Sequence, residues 1–189
     1  MQVEITGQTV VLDDIVTVDE LKAYMRVTHS AEDTLITALR FAAIAYVEEH
    51  CNIKLGTYQM RGYLPGFYNA YFPIGPVQAV SEVKYQTTDD KTYSNLTTLA
   101  TTNWYTDLIS QPSRIAFRDY PNVYEYALTP VVITFSAGYT TVPTPVVHAI
   151  KLLVSSMYEN RQEEVGAVTH RLKLGLDALL NPFRIIYQP

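Results

Sequence analysis

The residue types that most often carry chemistry are few and scattered in this sequence. Its four histidines are His29, His50, His148 and His170, and its single cysteine is Cys51. No two histidines have the helical zinc-site spacing His-x-x-x-His or His-Glu-x-x-His. His50 and Cys51 are adjacent, so on a helix they point to different faces, and a lone cysteine at a helix end is typical of packing. The sequence predicts no metal, no cofactor and no catalytic residue.

Other catalytic and phosphate-binding motifs are also missing. The sequence contains no Gly-x-Ser-x-Gly, no P-loop and no Gly-x-Gly-x-x-Gly. Gly138 is better explained by a turn between a strand and a helix, where the backbone needs the conformational freedom of glycine, than by a phosphate site. The polar run from Tyr158 to Arg161 has two interpretations. It is either a helix end with Arg161 facing the last carbonyls, or a site where Glu159 and Arg161 pair between subunits.

Length and composition indicate one globular domain. A chain of 189 residues can bury roughly 70% of its unfolded surface, and 48% hydrophobic with 17% charged residues is not a disordered composition. No apolar run approaches the roughly 20 residues of a membrane span, and the first residues lack the features of a signal peptide. We expect a soluble protein that stays in the compartment where it is made. A single cysteine cannot form an internal disulfide, which suits a reducing cytoplasm.

The net charge of −5 is concentrated near the start of the sequence. Residues 1–51 carry nine acidic and three basic side chains, residues 52–144 six of each, and residues 145–189 four acidic and five basic. Tight nucleic-acid binding depends on basic patches that displace counterions from phosphates. The charge pattern therefore disfavours high-affinity DNA binding, but it is compatible with DNA that slides past.

Capping residues mark the starts of three helices. Thr17 and Glu20 form a capping box for the first, and Ser30 to Asp33 repeats the signal for a second helix over about 31–50. Thr144 and Pro145 are the expected N-cap and first residue of the third. In the second helix two neighbouring apolar rows are expected: Leu35, Leu39, Ala42 and Tyr46, and beside them Ile36, Ala43 and Val47.

From about Thr57 the apolar residues recur at every second position. The clearest example is 77–85, a half-buried strand, and further strands are expected near Tyr93 and over 103–109, 114–118 and 131–135. Eleven of the fifteen tyrosines lie in residues 52–144, which fits sheet surfaces and interfaces.

These patterns predict an α+β fold. A helical core comes from the N- and C-terminal parts, and an antiparallel β module is inserted between them. We expect one domain over 1–189, whose four parts are N-terminal helices (1–51), β module (52–144), C-terminal helices (145–180) and extended tail (181–189). Residues 1–16 are an expected extended lead-in that forms a short strand or packs on a neighbour.

Several short motifs in this order resemble the head–tail connector, or adaptor, proteins of long-tailed bacteriophages and prophage-derived particles. One stretch reads Thr-Phe-Ser-Ala-Gly-Tyr at 134–139, then Pro-x-Pro, Ala-Ile-Lys-Leu-Leu-Val and Tyr-Glu-Asn-Arg. The other similar segments are Asp33–Ile36 with Ala45–Glu48, Pro76–Val80, Gln111–Ile115 and Leu179–Arg184.

The resemblance implies a structural protein without a cofactor. It implies an α+β subunit that forms a homo-oligomeric ring, commonly of twelve, beneath the portal protein. Such a ring extends the DNA channel and provides a platform for a downstream neck or stopper protein and the tail. Double-stranded DNA passes through without sequence-specific binding, no membrane is involved, and the protein moves from the host cytoplasm during assembly to the virion neck.

Two groups of residues are expected to make contacts in such a ring. The tail residues Phe183, Arg184, Ile185, Ile186 and Tyr187 are more apolar than a solvated terminus, and the resemblance implies that they dock onto the portal. Glu48 and Glu49 lie at the unfavourable end of a helix dipole, so we expect them to face the channel or a subunit interface.

Two alternative functions stay open on the sequence. One is another neck or tail-completion component of the same kind of particle. The other is a non-phage β module that binds a ligand such as a sugar, or an enzyme, with the tyrosine-rich segment as its platform. A metal, or a deep pocket with convergent polar groups, would favour the latter class.

Overall fold

The computed structural model describes residues 1–9, 15–93, 95–160 and 169–186. The chain divides into two compact units. The sheet unit comprises residues 1–9, 57–139 and 185–189, and the helical unit comprises residues 10–56 and 140–184. Within the described residues, no helix has the length and apolar character that crossing a bilayer requires.

Four helices lie in the described part of the helical unit. They are α1 (Val18–Met25), α2 (Asp33–Cys51), α3 (Thr144–Glu159) and α4 (Thr169–Leu180), and α4 continues into a 3-10 turn over Asn181–Phe183. Helix α3 packs against the other three, so the N- and C-terminal parts of the chain share one helical core. The buried side chains of this helical core include Leu21, Ile36, Val47, Val146, Ile150, Leu153 and Leu180.

The helix starts follow the capping residues in one case of three. The Thr17 hydroxyl accepts from the Glu20 N–H at 3.1 Å, and the Glu20 carboxylate accepts from the Thr17 N–H at 3.0 Å, which confirms the capping box. Helix α2 begins at Asp33 rather than Ala31. Its N-cap is Glu32, which makes no side-chain cap because its carboxylate accepts from the Tyr158 hydroxyl.

Helix α3 begins one residue earlier than expected. Thr144 is its first residue, and Pro143 is the N-cap. The Pro143 carbonyl accepts from the N–H groups of Val146 and Val147, so the first turn closes without a side-chain cap. Pro145 lies in this first turn, where a missing N–H is tolerated.

The residues that the structure describes in the sheet unit form two antiparallel sheets. The larger has strand order β1–β2–β8–β4–β5, with β1 (Gln2–Thr9), β2 (Thr57–Leu64), β4 (Val77–Tyr85), β5 (Thr97–Thr98) and β8 (Val131–Ala137). The smaller has the order β3–β7–β6, with β3 (Ala70–Tyr71), β6 (Trp104–Asp107) and β7 (Arg114–Phe117). A 3-10 turn over Thr101–Asn103 precedes β6.

Strand β8 is the centre of the larger sheet. Met60 of β2 lies opposite Phe135, and Val83 of β4 lies opposite Ile133. All four side chains are buried, and the Phe135 ring packs on Phe72 with ring centroids 4.8 Å apart. Aromatic and β-branched pairs of this kind supply most of the packing energy of a sheet.

The structure confirms the α+β fold with antiparallel sheets and refines the individual strands. No strand forms at Tyr93, whose backbone is left-handed with φ 59°, and the short strand lies at Thr97–Thr98 instead. The sequence patterns grouped residues 2–9 with the N-terminal helices. In the structure they pair with β2 and belong to the sheet unit. Strand β4 contains two register shifts, so its alternation of buried residues is interrupted.

Candidate functional site

Of the three histidines whose side chains the structure describes, two pack against tyrosine rings. His50 stacks on Tyr46 with ring centroids 5.6 Å apart, and His148 meets Tyr24 edge-on at 6.0 Å. His29 is exposed, and His170 lies in the part of α4 whose side chains are outside the described residues. Across the described ranges, no group of three or more His, Cys, Asp or Glu residues is placed to hold a metal ion.

Cys51 is a buried packing residue at the end of α2. Its thiol lies 3.8 Å from the Leu180 carbonyl oxygen, to which it donates. Burial raises the pKa of the Cys51 thiol, and the nearby Arg184 charge opposes this in part. A thiol with a raised pKa is a poor nucleophile, because the thiolate is the reactive form.

Glu48 is an internal anchor rather than part of an exposed acidic pair. It is 9% exposed, and its two carboxylate oxygens accept from the Lys54 ammonium at 2.7 Å and from the Leu55 N–H at 2.8 Å. Both partners follow the left-handed Asn52 that ends α2, so the carboxylate ties down the chain where it reverses. The expectation that Glu48 faces a channel or a subunit interface conflicts with this burial, because its charge is already neutralised within the subunit.

The remaining acidic candidates lie at helix ends. Glu49 is exposed on α2, and Glu159 is exposed as the last residue of α3. Arg161 lies outside the described residues, so its pairing with Glu159 stays a prediction. Glu48 and Glu49 therefore differ in kind, because one is enclosed by its own subunit and the other presents its carboxylate to solvent.

The exposed face of α2 holds residues that the sequence patterns assigned to the core. Ile36, Ala43 and Val47 are fully buried, as expected. Ala42 and Tyr46, from the neighbouring row, are exposed instead, and Phe41 beside them is half-exposed. The sequence did contain a signal for this second apolar face, because apolar residues lie around the whole circumference of α2. A helix of this kind is usually covered on all sides.

The tail has one anchored and one exposed isoleucine. Ile185 is 5% exposed, and Gly75 leaves room for it, because a Cβ on Gly75 would come within 2.8 Å of the Ile185 Cδ1. Ile186 is 67% exposed, Arg184 is exposed and Phe183 is half-buried. The assignment of Ile185 to a portal-docking surface conflicts with its burial in its own sheet unit, and Tyr187 lies outside the described residues.

Comparison with known protein families decides the class of the protein. Residues 15–111 match the model of the phage gp6-like head-tail connector protein family, and this range covers both N-terminal helices and strands β2 to β6. The chain belongs to this family. The resemblance to the head–tail connector family is thereby confirmed, and the connector is a structural protein by family.

Solved structures share the connector's fold over its full length. A chain from the virion of a native gene transfer agent particle is 22% identical, with a TM-score of 0.76. A chain from the neck of an empty gene transfer agent particle, computed with C6 symmetry, is also 22% identical, with a TM-score of 0.72. Both alignments cover 100% of the connector and 98% of the other chain. No curated protein matches the sequence.

The described part of the connector's sheet unit has clefts that open to its surface. A polar cleft of about 400 Å³ is lined by Arg61, Tyr63, Glu82, Lys84 and Tyr93, among other residues. Its polar side chains are largely paired within the subunit. Lys84 pairs with Glu82 at 2.9 Å, and the Tyr63 hydroxyl donates to Glu4 at 2.5 Å. Tyr63 and Tyr93, from the tyrosine-rich segment, thus line an open cleft on the sheet surface.

Proposed function

We propose that the connector assembles into a ring in the virion neck, beneath the portal protein. The ring extends the DNA channel and provides the platform for a downstream neck or stopper protein. The family match is the observation that carries this proposal. A third similar chain supports the ring, with 20% identity and a TM-score of 0.70, because it comes from the neck of a native gene transfer agent particle computed with C12 symmetry.

The charge of the chain suits a wall that DNA passes without binding. Its net charge is −5, so a ring of twelve copies would carry a large negative charge. Like charges on the wall repel phosphates, and the repulsion fades beyond about 8 Å at physiological salt. In this proposal the subunit is made in the host cytoplasm, has no enzymatic step, and becomes part of the particle when it meets the portal.

The exposed part of the tail is the proposed portal contact. Ile186 and Arg184 are exposed, whereas Ile185 fixes the segment to its own subunit. An apolar group held just beyond a buried anchor is pre-positioned for a partner, which reduces the ordering cost of binding. Ile186 and Arg184 are therefore the described tail residues assigned to the portal, and the same assignment of Tyr187 stays a prediction.

Mass measurement tests the assembly directly. Native mass spectrometry of the purified chain, with and without a portal preparation from the same particle, should give a cyclic oligomer that joins the portal as one complex. A twelvefold stoichiometry on the portal is the expected result. A chain that stays monomeric with the portal present, or that binds as a single copy, would contradict the proposal and favour another neck or tail-completion component.

A further inference from the structure

Helix α2 presents an uncovered apolar surface on the side opposite the helical core. The surface, here called the α2 stripe, consists of Ala38, Phe41, Ala42, Ala45 and Tyr46, all exposed. Phe41 is 49% exposed and Tyr46 is 46% exposed. Residues at these intervals lie on one face of a helix, so the five side chains form one continuous strip.

The composition of the α2 stripe indicates a protein partner. The stripe contains no charged side chain, whereas DNA contacts depend on lysine and arginine. Aromatic residues are enriched in the buried centre of protein interfaces, and small residues beside them allow close approach.

Both aromatic rings of the stripe are already held in place. The Arg40 guanidinium lies 5.7 Å from the centre of the Phe41 ring, and the His50 ring stacks on Tyr46. Rings that are fixed before association lose little side-chain entropy when a partner covers them. The stripe is therefore a preorganised contact surface.

Two unpaired charges make this surface complementary to another part of the same chain. Glu49, one turn beyond Tyr46, is exposed, and its carboxylate has no ion-pair partner among the described residues. Arg26, at the end of α1, is exposed, and its guanidinium likewise has none in the described ranges. Tyr24, 39% exposed, lies two residues before Arg26. The α2 stripe is thus apolar with an acidic end, and the end of α1 offers an aromatic ring near a basic side chain.

We propose that the α2 stripe of one copy packs against the α1 end of the next copy around the ring, with Glu49 facing Arg26 of that copy. The assignment rests on the proposed ring. A closed ring needs a heterologous contact between two different patches, which this pair supplies, and not a patch that meets itself. Glu49 is thereby assigned to the subunit interface and not to the channel wall.

Replacement of the two rings tests the stripe. The variant Phe41→Glu with Tyr46→Glu keeps good helix formers at exposed positions, so circular dichroism and the Tm should stay close to those of the wild type. The concentration at which half of the subunits are assembled, measured by analytical ultracentrifugation, should rise by at least about 30-fold. The control is Ile109→Glu, at a loop position 96% exposed, which should assemble like the wild type.

Charge exchange tests the direction of the contact. Glu49→Arg and Arg26→Glu should each weaken assembly, and the double variant should recover at least part of the loss. Recovery would be specific to two residues that face each other between copies. Two weakened single variants whose combination is weaker still would overturn the pairing.

The outcomes separate this assignment from the proposed function. Normal rings from the Phe41→Glu, Tyr46→Glu variant would overturn the stripe assignment and leave the ring proposal intact. Normal rings that no longer bind the portal would show that the portal covers the stripe, which also overturns it. Loss of rings in the Ile109→Glu control would remove the specificity on which the assignment depends. A wild-type chain that forms no ring, even with portal present, would overturn the proposed function and this inference with it.

Discussion

At the scale of single residues, adjacent glutamates in α2 have different roles. The Glu48 carboxylate satisfies the Lys54 ammonium and the Leu55 N–H in a site that excludes most solvent, whereas Glu49 meets solvent. Removal of a buried carboxylate that accepts two hydrogen bonds takes this acceptor from both donors, which costs free energy. The sequence alone cannot separate the two residues, because their difference depends on how the chain reverses after Asn52.

We expect Glu48→Ala to lower the free energy of unfolding by about 2–4 kcal/mol, because the half-buried Lys54 ammonium and the Leu55 N–H lose their acceptor. Urea unfolding of the dissociated subunit measures this. The matched control, Glu49→Ala, should change the free energy by less than about 0.5 kcal/mol. Equal losses in the two variants would show that Glu48 is not the internal anchor.

At the scale of elements, the C-terminal segment combines a buried side chain with an exposed one, which we propose as a portal contact. Ile185 and Ile186 have identical side chains, but one is 5% and the other 67% exposed. They therefore form a matched pair in which packing and docking can be measured separately.

We expect Ile185→Ala to lower the free energy of unfolding by about 2–4 kcal/mol, because a buried isoleucine leaves a cavity. Ile186→Ala should leave stability within about 0.5 kcal/mol of the wild type and weaken portal binding. Thermal unfolding and portal co-sedimentation measure the two effects. Full portal binding by Ile186→Ala would remove the exposed tail from the portal contact.

Sequence patterns predicted an element well where its formation depends on residues that are close in the sequence. The Thr17 capping box formed because both of its partners lie within one helical turn. The two rows of α2 were not distinguishable, because both are apolar and only tertiary packing decides that Val47 is buried and Tyr46 exposed. Strands β1 and β2 pair with each other, but the two N-terminal helices lie between them in the sequence. No local pattern therefore specifies their pairing.

At the scale of the whole molecule, the net charge of −5 leads to a prediction about DNA. We expect the assembled wild-type ring not to be retained on immobilised double-stranded DNA at about 0.15 M salt, because its net charge opposes that of the phosphates. Elution from a DNA column between 0.02 and 0.15 M salt measures this, with a basic DNA-binding protein as the positive control. Retention with a steep salt dependence would instead indicate that assembly gathers basic side chains into one surface.

The central position of β8 has a consequence for synthesis on the ribosome. Strands β2 and β4 both hydrogen-bond to β8, yet Val131–Ala137 leaves the ribosome long after Thr57–Leu64. At about 5–20 residues per second, β2 waits several seconds for its central neighbour. During that time the nascent chain exposes unpaired strand edges, so slower translation or a shortage of chaperones should lower the soluble yield before any ring can form.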